Sequence, residues 1–167
     1  MIFKLWKLQG AEPLVSFHKD YKLRSADAPI TFDLPGGTLV QNGGDIKIAV
    51  SRPQGTVSQR NPQDWSLQVE AVDGGLIDAS GQASITFLAP ESGYQTNCVL
   101  AMVASRQWSD VIQKTFFLKS RGGQNYSKVH IVFGINDTPD GFMYVTLDGV
   151  VNTNGSRNWE ATAPQAQ

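Results

Sequence analysis

Hydrophobic and polar residues alternate with a period of two along most of this chain, and the periodicity of an amphipathic helix is nearly absent. Such alternation is typical of β-strands that bury one face. It is cleanest over 128–135, where every second residue is a large apolar one. Glycine, proline, asparagine and aspartate punctuate the runs as turn residues do. The pattern predicts strands over 2–8, 14–23, 30–34, 45–51, 65–72, 84–89, 98–103, 116–118, 128–135 and 143–151.

About eight to eleven short strands with turn signals roughly every ten residues predict an all-β fold of antiparallel sheets, not strand–helix–strand units. The apolar run 98–103 is typical of a strand buried on both faces, which predicts a buried, inert thiol for Cys98, the single cysteine. We expect the sandwich over 28–151. Residues 1–27 are expected to form an N-terminal extension or extra hairpin, and 152–167 a loose tail with few large apolar residues.

One stretch carries a family resemblance: Trp65-Ser66-Leu67, then Gly74-Gly75-Leu76-Ile77-Asp78, Gly81, and a segment from Ile85 to Ala89-Pro90. Over these residues the chain resembles bacterial immunoglobulin-like domains of secreted or cell-surface proteins. The resemblance implies an immunoglobulin-like antiparallel β-sandwich with an additional N-terminal strand or hairpin. It implies that Trp65 fills the centre between the sheets, that the glycines permit turns with positive φ, and that Pro90 ends a strand. It further implies a spacer, adhesion or accessory role.

Charge and hydropathy narrow the classes of partner. Lysine and arginine total 14 and aspartate and glutamate 15, a net charge of −1, so the basic surface that nucleic acid requires is not expected. No run of about 18 apolar residues is present, so no membrane span is expected.

Motifs of catalysis are not found in the sequence. His18 and His130 lie far apart on predicted strands, and no nucleophile elbow, phosphate loop or zinc helix occurs. An enzyme is therefore not expected, and neither is a cofactor. A small hydrolase that uses two carboxylates stays open, because 15 acidic residues can supply a pair in space. Asp137 and Asp140 are weak candidates for a calcium ion, but their segment also has the composition of an ordinary turn.

Carbohydrate binding is the more specific hypothesis about a ligand. A flat aromatic ring among hydrogen-bonding side chains suits a sugar face, and Trp108 lies in such a loop with Arg106, Gln107 and Asp110. Trp159 has similar polar neighbours, as has Tyr94. The alternative is that each ring packs on its own sandwich, as large aromatic residues usually do.

Three functions follow in order of preference. The first is a non-catalytic interaction or spacer module of a larger extracellular bacterial protein, which contacts neighbouring domains of its parent. The second is a carbohydrate-binding module attached to a polysaccharide-degrading enzyme, and the third is the carboxylate-dependent hydrolase. The expected location is secreted or at the cell surface.

Overall fold

A computed structural model describes residues 10–24, 28–52, 60–80, 87–135 and 142–160. Within these ranges the chain forms ten strands and a single 3-10 turn, Arg121–Gly123. The strands are β1 (Val15–Arg24), β2 (Ile30–Asp33), β3 (Thr38–Val40), β4 (Ile46–Ser51), β5 (Trp65–Ala71), β6 (Gly75–Asp78), β7 (Asn97–Met102), β8 (Val111–Ser120), β9 (Asn125–Ile135) and β10 (Phe142–Asn152).

Two five-stranded antiparallel sheets make a sandwich, which confirms the predicted fold class. The first sheet has the order β1-β10-β9-β8-β6 and the second the order β3-β2-β4-β5-β7. The additional N-terminal strand is β1, which pairs with β10 from Val15 opposite Val151 to Arg24 opposite Phe142. As far as the structure describes it, the N-terminal segment is therefore an edge strand of the sandwich.

The core lies between the sheets, where the apolar faces of the alternating strands meet. Trp65 is at its centre, with 3% of its surface exposed. Its ring lies 5.8 Å from that of Phe133, and Met102 is opposite it on β7. The indole nitrogen donates a hydrogen bond to the Ser109 carbonyl at 3.1 Å, so the polar atom of the ring is satisfied. The expected position of Trp65 between the sheets is confirmed.

The sequence predicted that the apolar run 98–103 is buried on both faces, and this prediction is wrong. Its strand, β7, is the last of the second sheet, and exposure alternates along it. Val99 is 58% exposed and Val103 60%. In the predicted strand 84–89 the alternation predicts an inward side chain for Phe87, which is 37% exposed. Both errors have one cause, because an apolar side chain is buried only if another element covers its face.

The turn between β5 and β6 uses glycine for a reason other than the expected positive φ. The left-handed residue of this turn is Asp73, at φ 49°. Gly74 instead lies so close to the neighbouring strand that a Cβ would come within 1.9 Å of the Lys119 carbonyl oxygen. The glycine is therefore required by close backbone approach.

A second, smaller apolar cluster covers one end of the outer face of the first sheet. Trp159 stacks on Phe117 with the ring centroids 5.1 Å apart, and Ala79 and Ala89 complete the cluster. The Trp159 amide donates to the Phe87 carbonyl at 2.8 Å. Residues 152–160 are thus part of the sandwich and not of a loose tail, because one large aromatic anchors a segment that is otherwise polar. Residues 161–167 lie outside the described ranges.

Truncation of the central tryptophan tests this core. Trp65→Ala is expected to lower the free energy of unfolding by about 3–5 kcal/mol, the range for removing a buried large aromatic side chain. Chemical denaturation measures the loss, and Trp65→Phe, which keeps most of the ring volume, should lose less. A loss below about 1 kcal/mol for the alanine variant would contradict the central position of the ring.

Candidate functional site

One end of the sandwich is organised around the buried carboxylate of Asp45. Its Oδ1 accepts hydrogen bonds from the Ser120 hydroxyl at 2.6 Å, from Arg121 Nε at 3.0 Å and from the Asn125 amide at 2.9 Å. Its Oδ2 accepts from the Leu34 amide at 2.9 Å and from Arg121 Nη2 at 3.0 Å. Asp45 precedes β4 in the second sheet, whereas three of its partners belong to the first. The carboxylate therefore ties the two sheets together.

The environment keeps Asp45 ionised. Burial raises the pKa of its carboxyl, but the hydrogen bonds from Arg121, Ser120, the Leu34 amide and Asn125 together outweigh burial, so the pKa lies below its ordinary value. With both oxygens occupied by donors, the group has no free position for a substrate proton. Its role is structural.

Arg121 extends this network towards the surface. Its guanidinium also pairs with Asp33, so one arginine bridges two aspartates. Its own φ is 52°, a left-handed conformation that costs a non-glycine residue about 1–3 kcal/mol and persists where the surroundings fix it. The two carboxylates are the nearest approach to a hydrolase pair at this end, but both are bound to the same cation.

Two open hollows flank the Arg121 turn. One, of about 610 Å³, is lined by Asp33, Asn42, Asp73 and Gln124 among others. The other, of about 440 Å³, lies on the far side of Asp73 and reaches Tyr94. The Tyr94 hydroxyl donates to the Pro90 carbonyl at 3.1 Å, and burial raises the pKa of that phenol to about 12. The arginine and the tyrosine are thus both engaged within the protein, whereas Asp73 and Lys119 also line the second hollow.

The structure buries the ring expected to bind a sugar. Trp108 is 7% exposed, lies in the main core and donates from its indole nitrogen to the Gln63 carbonyl at 2.8 Å. Arg106 and Gln107 are exposed beside it, and the Asp110 carbonyl accepts the Ile135 amide. The loop therefore gathers the expected polar residues without a ring face for them to surround.

Trp159, the other expected sugar-binding ring, is also 7% exposed, because it is stacked on Phe117. Asp137 and Asp140, the candidates for calcium, lie outside the described residues. Over the ranges that are described, no three histidine, cysteine, aspartate or glutamate side chains are grouped as a metal site would need.

The two histidines lie on the outer face of the first sheet. His18 Nδ1 is 3.3 Å from Asp148 Oδ1, and both side chains are exposed. His130 lies opposite Asp148 on the next strand and contacts the Thr115 hydroxyl at 3.1 Å. This row crosses four strands on a sheet face, so it forms a polar surface and not a cleft.

A carboxylate also fixes the segment after β10. Glu12 accepts hydrogen bonds from the amides of Asn152 and Asn154, at 2.8 and 2.9 Å, and from the Ser156 hydroxyl at 2.6 Å. Hydrogen bonds from Ser156, Asn152 and Asn154 lower the pKa of Glu12 to about 2. The Glu12 amide in turn donates to the Glu160 carbonyl. We call this arrangement the Glu12 clasp.

The surface that sequence reasoning missed is the free edge of β7, residues 97–103, which we call the β7 edge. Among the described strands only β5 pairs with β7. Residues 97–103 include no charged residue, no proline and no glycine, and Val99, Ala101 and Val103 are exposed. The sequence marks this strand as its most continuous apolar run, a pattern that predicts a central strand and not an edge.

Backbone groups along the β7 edge face outward at alternate residues. The Ala71 amide donates to the Thr96 carbonyl at 2.9 Å, which fixes the hydrogen-bonding phase of the β5–β7 ladder. In an antiparallel ladder the pairs alternate between bonded and non-bonded, so Cys98, Leu100 and Met102 bond to β5. The amides and carbonyls of residues 97, 99 and 101 therefore point away from the sheet.

Comparisons with protein-family models, with curated proteins and with solved structures give no match. None of the described residues belongs to a helix with the length and hydrophobicity of a membrane span.

Replacing the buried carboxylate tests its structural role. Asp45→Asn is expected to destabilise the protein by about 3–5 kcal/mol, because an amide nitrogen would face donors and the Arg121 charge would lose a partner. Chemical denaturation measures the change. The matched control is Asp73→Asn, an exposed aspartate at the same end whose positive φ asparagine tolerates. Equal stability of the two variants would contradict the role of Asp45.

The Glu12 clasp is expected to weaken in acid. Because folding lowers the pKa of Glu12 from 4.5 to about 2, its contribution is complete above about pH 4.5 and is lost as the pH falls towards 2. Melting temperatures measured from pH 7 to pH 2 should therefore be higher for wild type than for Glu12→Gln at neutral pH. The two melting temperatures should converge near pH 2. A constant difference across that range would show that ionisation of Glu12 does not matter.

Proposed function

We propose that this chain is a non-catalytic interaction module of a larger extracellular bacterial protein, and that it joins another polypeptide through the β7 edge. The extracellular context is inferred from the resemblance of residues 65–90 to bacterial immunoglobulin-like domains. The mode of interaction is inferred from the edge itself, by addition of a strand to an existing sheet.

The observation that carries the proposal is the contrast, within the described part of the two sheets, between β7 and the other three edge strands. An unpaired edge attracts other strands, and proteins commonly protect it by charge or by shortness. β1 carries charged residues such as Lys19, Asp20 and Lys22 along its length. β3 and β6 are only three and four residues long. β7 is six residues long and uncharged, so it has neither protection.

The side chains of the β7 edge fit the same role. Val99 and Val103 project from the outer side, where exposed apolar groups gain free energy when a partner covers them. A shallow hollow of about 500 Å³ adjoins Val103, and its lining combines the small residues Ser51, Ser66 and Ala101 with the charged residues Arg52 and Asp64.

The carbohydrate-binding alternative loses its main support, since Trp108 and Trp159 are buried and Tyr94 is half-buried with its hydroxyl bonded to the Pro90 carbonyl. The hydrolase alternative would need two carboxylates that face a substrate. Asp33 and Asp45 come together in the structure, but both are bound by Arg121.

A short synthetic strand tests the proposal without knowledge of the natural partner. The probe is an acetylated and amidated peptide of alternating threonine and valine with a lysine at each end, titrated into isotopically labelled protein. Saturable shifts of amide resonances confined to residues 97–103 and their neighbours on β5 are expected. Val99→Lys should weaken binding by about tenfold or more, because a charge on an edge strand opposes strand addition.

Leu39→Lys is the matched control, since Leu39 is 48% exposed on β3 at the opposite edge of the same sheet. This variant should bind the peptide as wild type does. Absence of binding to wild type, or equal weakening by both substitutions, would overturn the β7 edge as the interaction surface.

A further inference from the structure

We propose that the strand added at the β7 edge is β7 of a second copy of this chain, so that the two second sheets join into one continuous sheet across a twofold axis. This inference rests on the proposed function and adds the identity of the partner. It follows from the sequence and phase of the strand, which are complementary to themselves in the antiparallel direction.

The outward backbone groups permit this pairing. A twofold axis in an antiparallel ladder places residue i of one copy opposite residue j of the other, and the sum of the two residue numbers is the same for every pair. The register that uses all of residues 97–103 is centred on Leu100. It pairs Val99 with Ala101 of the partner subunit and Asn97 with Val103 of the partner subunit. The amides and carbonyls of residues 99 and 101 point outward, so the two symmetry-related Val99–Ala101 pairs form hydrogen bonds in that register.

The side chains of the two copies match on both faces. On the outer face, Val99 gains an apolar neighbour where it now meets solvent. On the inner face, Cys98, Leu100 and Met102 pack against the core of their own sandwich and are only partly buried. The pairing would extend that core across the axis by placing Leu100 against its own symmetry mate.

Electrostatics permits a second copy as partner. β7 lies within residues 92–105, which include no charged side chain. Two paired copies of this strand therefore bring no like charges together. Like charges directly opposite each other are what usually prevent identical strands from pairing. By contrast β1, with its mixed charges, would place a second copy of itself among several charged side chains.

Association in solution is the first measurement. Sedimentation equilibrium of the full chain is expected to give a monomer–dimer equilibrium. Protein concentrations up to about 1 mM make a dissociation constant as weak as about 1 mM detectable. Val99→Lys should weaken dimerisation by about tenfold or more, because the twofold axis introduces the lysine twice. Leu39→Lys should leave the constant unchanged.

Disulfide trapping tests the register. In the proposed pairing Cys98 lies opposite Met102 of the partner subunit in a non-bonded pair, where the Cα atoms are about 4.5 Å apart and a disulfide is allowed. Met102→Cys should therefore give a covalent dimer on mild oxidation. Wild type should give no covalent dimer, because its two Cys98 residues would be four positions out of register, with their Cα atoms about 13 Å apart along the strands. Met102→Cys combined with Cys98→Ala should not either.

The outcomes separate this inference from the proposed function. A wild type that stays monomeric while it still binds the threonine–valine peptide at β7 overturns self-pairing and leaves the interaction surface standing. A dimer that persists in Val99→Lys places the dimer contact elsewhere and overturns self-pairing, while the peptide titration decides separately on the β7 edge. A dimer sensitive to Val99→Lys that does not cross-link through Met102→Cys overturns the register, and with it the proposal as stated.

Discussion

The Asp45 carboxylate joins the two sheets at one end of the sandwich, and much of the local structure is arranged to satisfy it. Its side chain accepts hydrogen bonds from both sheets, while its backbone donates to Phe32 and accepts from Val72. A buried carboxylate without such donors would be strongly unfavourable. The left-handed Arg121, the Ser120 hydroxyl and the Asn125 amide are therefore interdependent. Loss of one leaves a charge or a donor without its partner.

This requirement shapes what the protein presents to its surroundings. The end of the sandwich that looks most like a polar site is engaged internally, with Arg121 shared between Asp33 and Asp45. The Glu12 clasp and the second apolar cluster, in which Trp159 stacks on Phe117, similarly hold the segment after β10 against the first sheet. Polar residues in these regions stabilise the fold, so their abundance is no guide to a ligand.

The β7 edge differs because its unsatisfied groups are those of the backbone. The neighbouring β5 satisfies one side of the strand, and the other side is open along the described strands. Water can satisfy these groups, but the exposed valines gain nothing from water. A second strand would satisfy the backbone and cover the apolar side chains at the same time. This combination is the reason why we propose the β7 edge as the interaction surface.

Sequence by itself determined the class of fold and the centre of the core. Alternation with a period of two reports which face of a strand is apolar, and that was enough to place strands at 30–33, 46–51 and 65–71. The central position of Trp65 was implied by the family resemblance. The short strands β3 and β6 gave too few residues for a pattern to emerge. Tertiary structure alone decided the rest. Asp45 meets Ser120 across 75 positions of chain, a pairing that no local signal encodes. Trp108 and Trp159 have polar neighbours in sequence but apolar ones in space. The run 97–103 is apolar enough for a central strand, yet it lies at an edge, because the order of strands in a sheet depends on contacts between distant segments and not on the composition of any one of them.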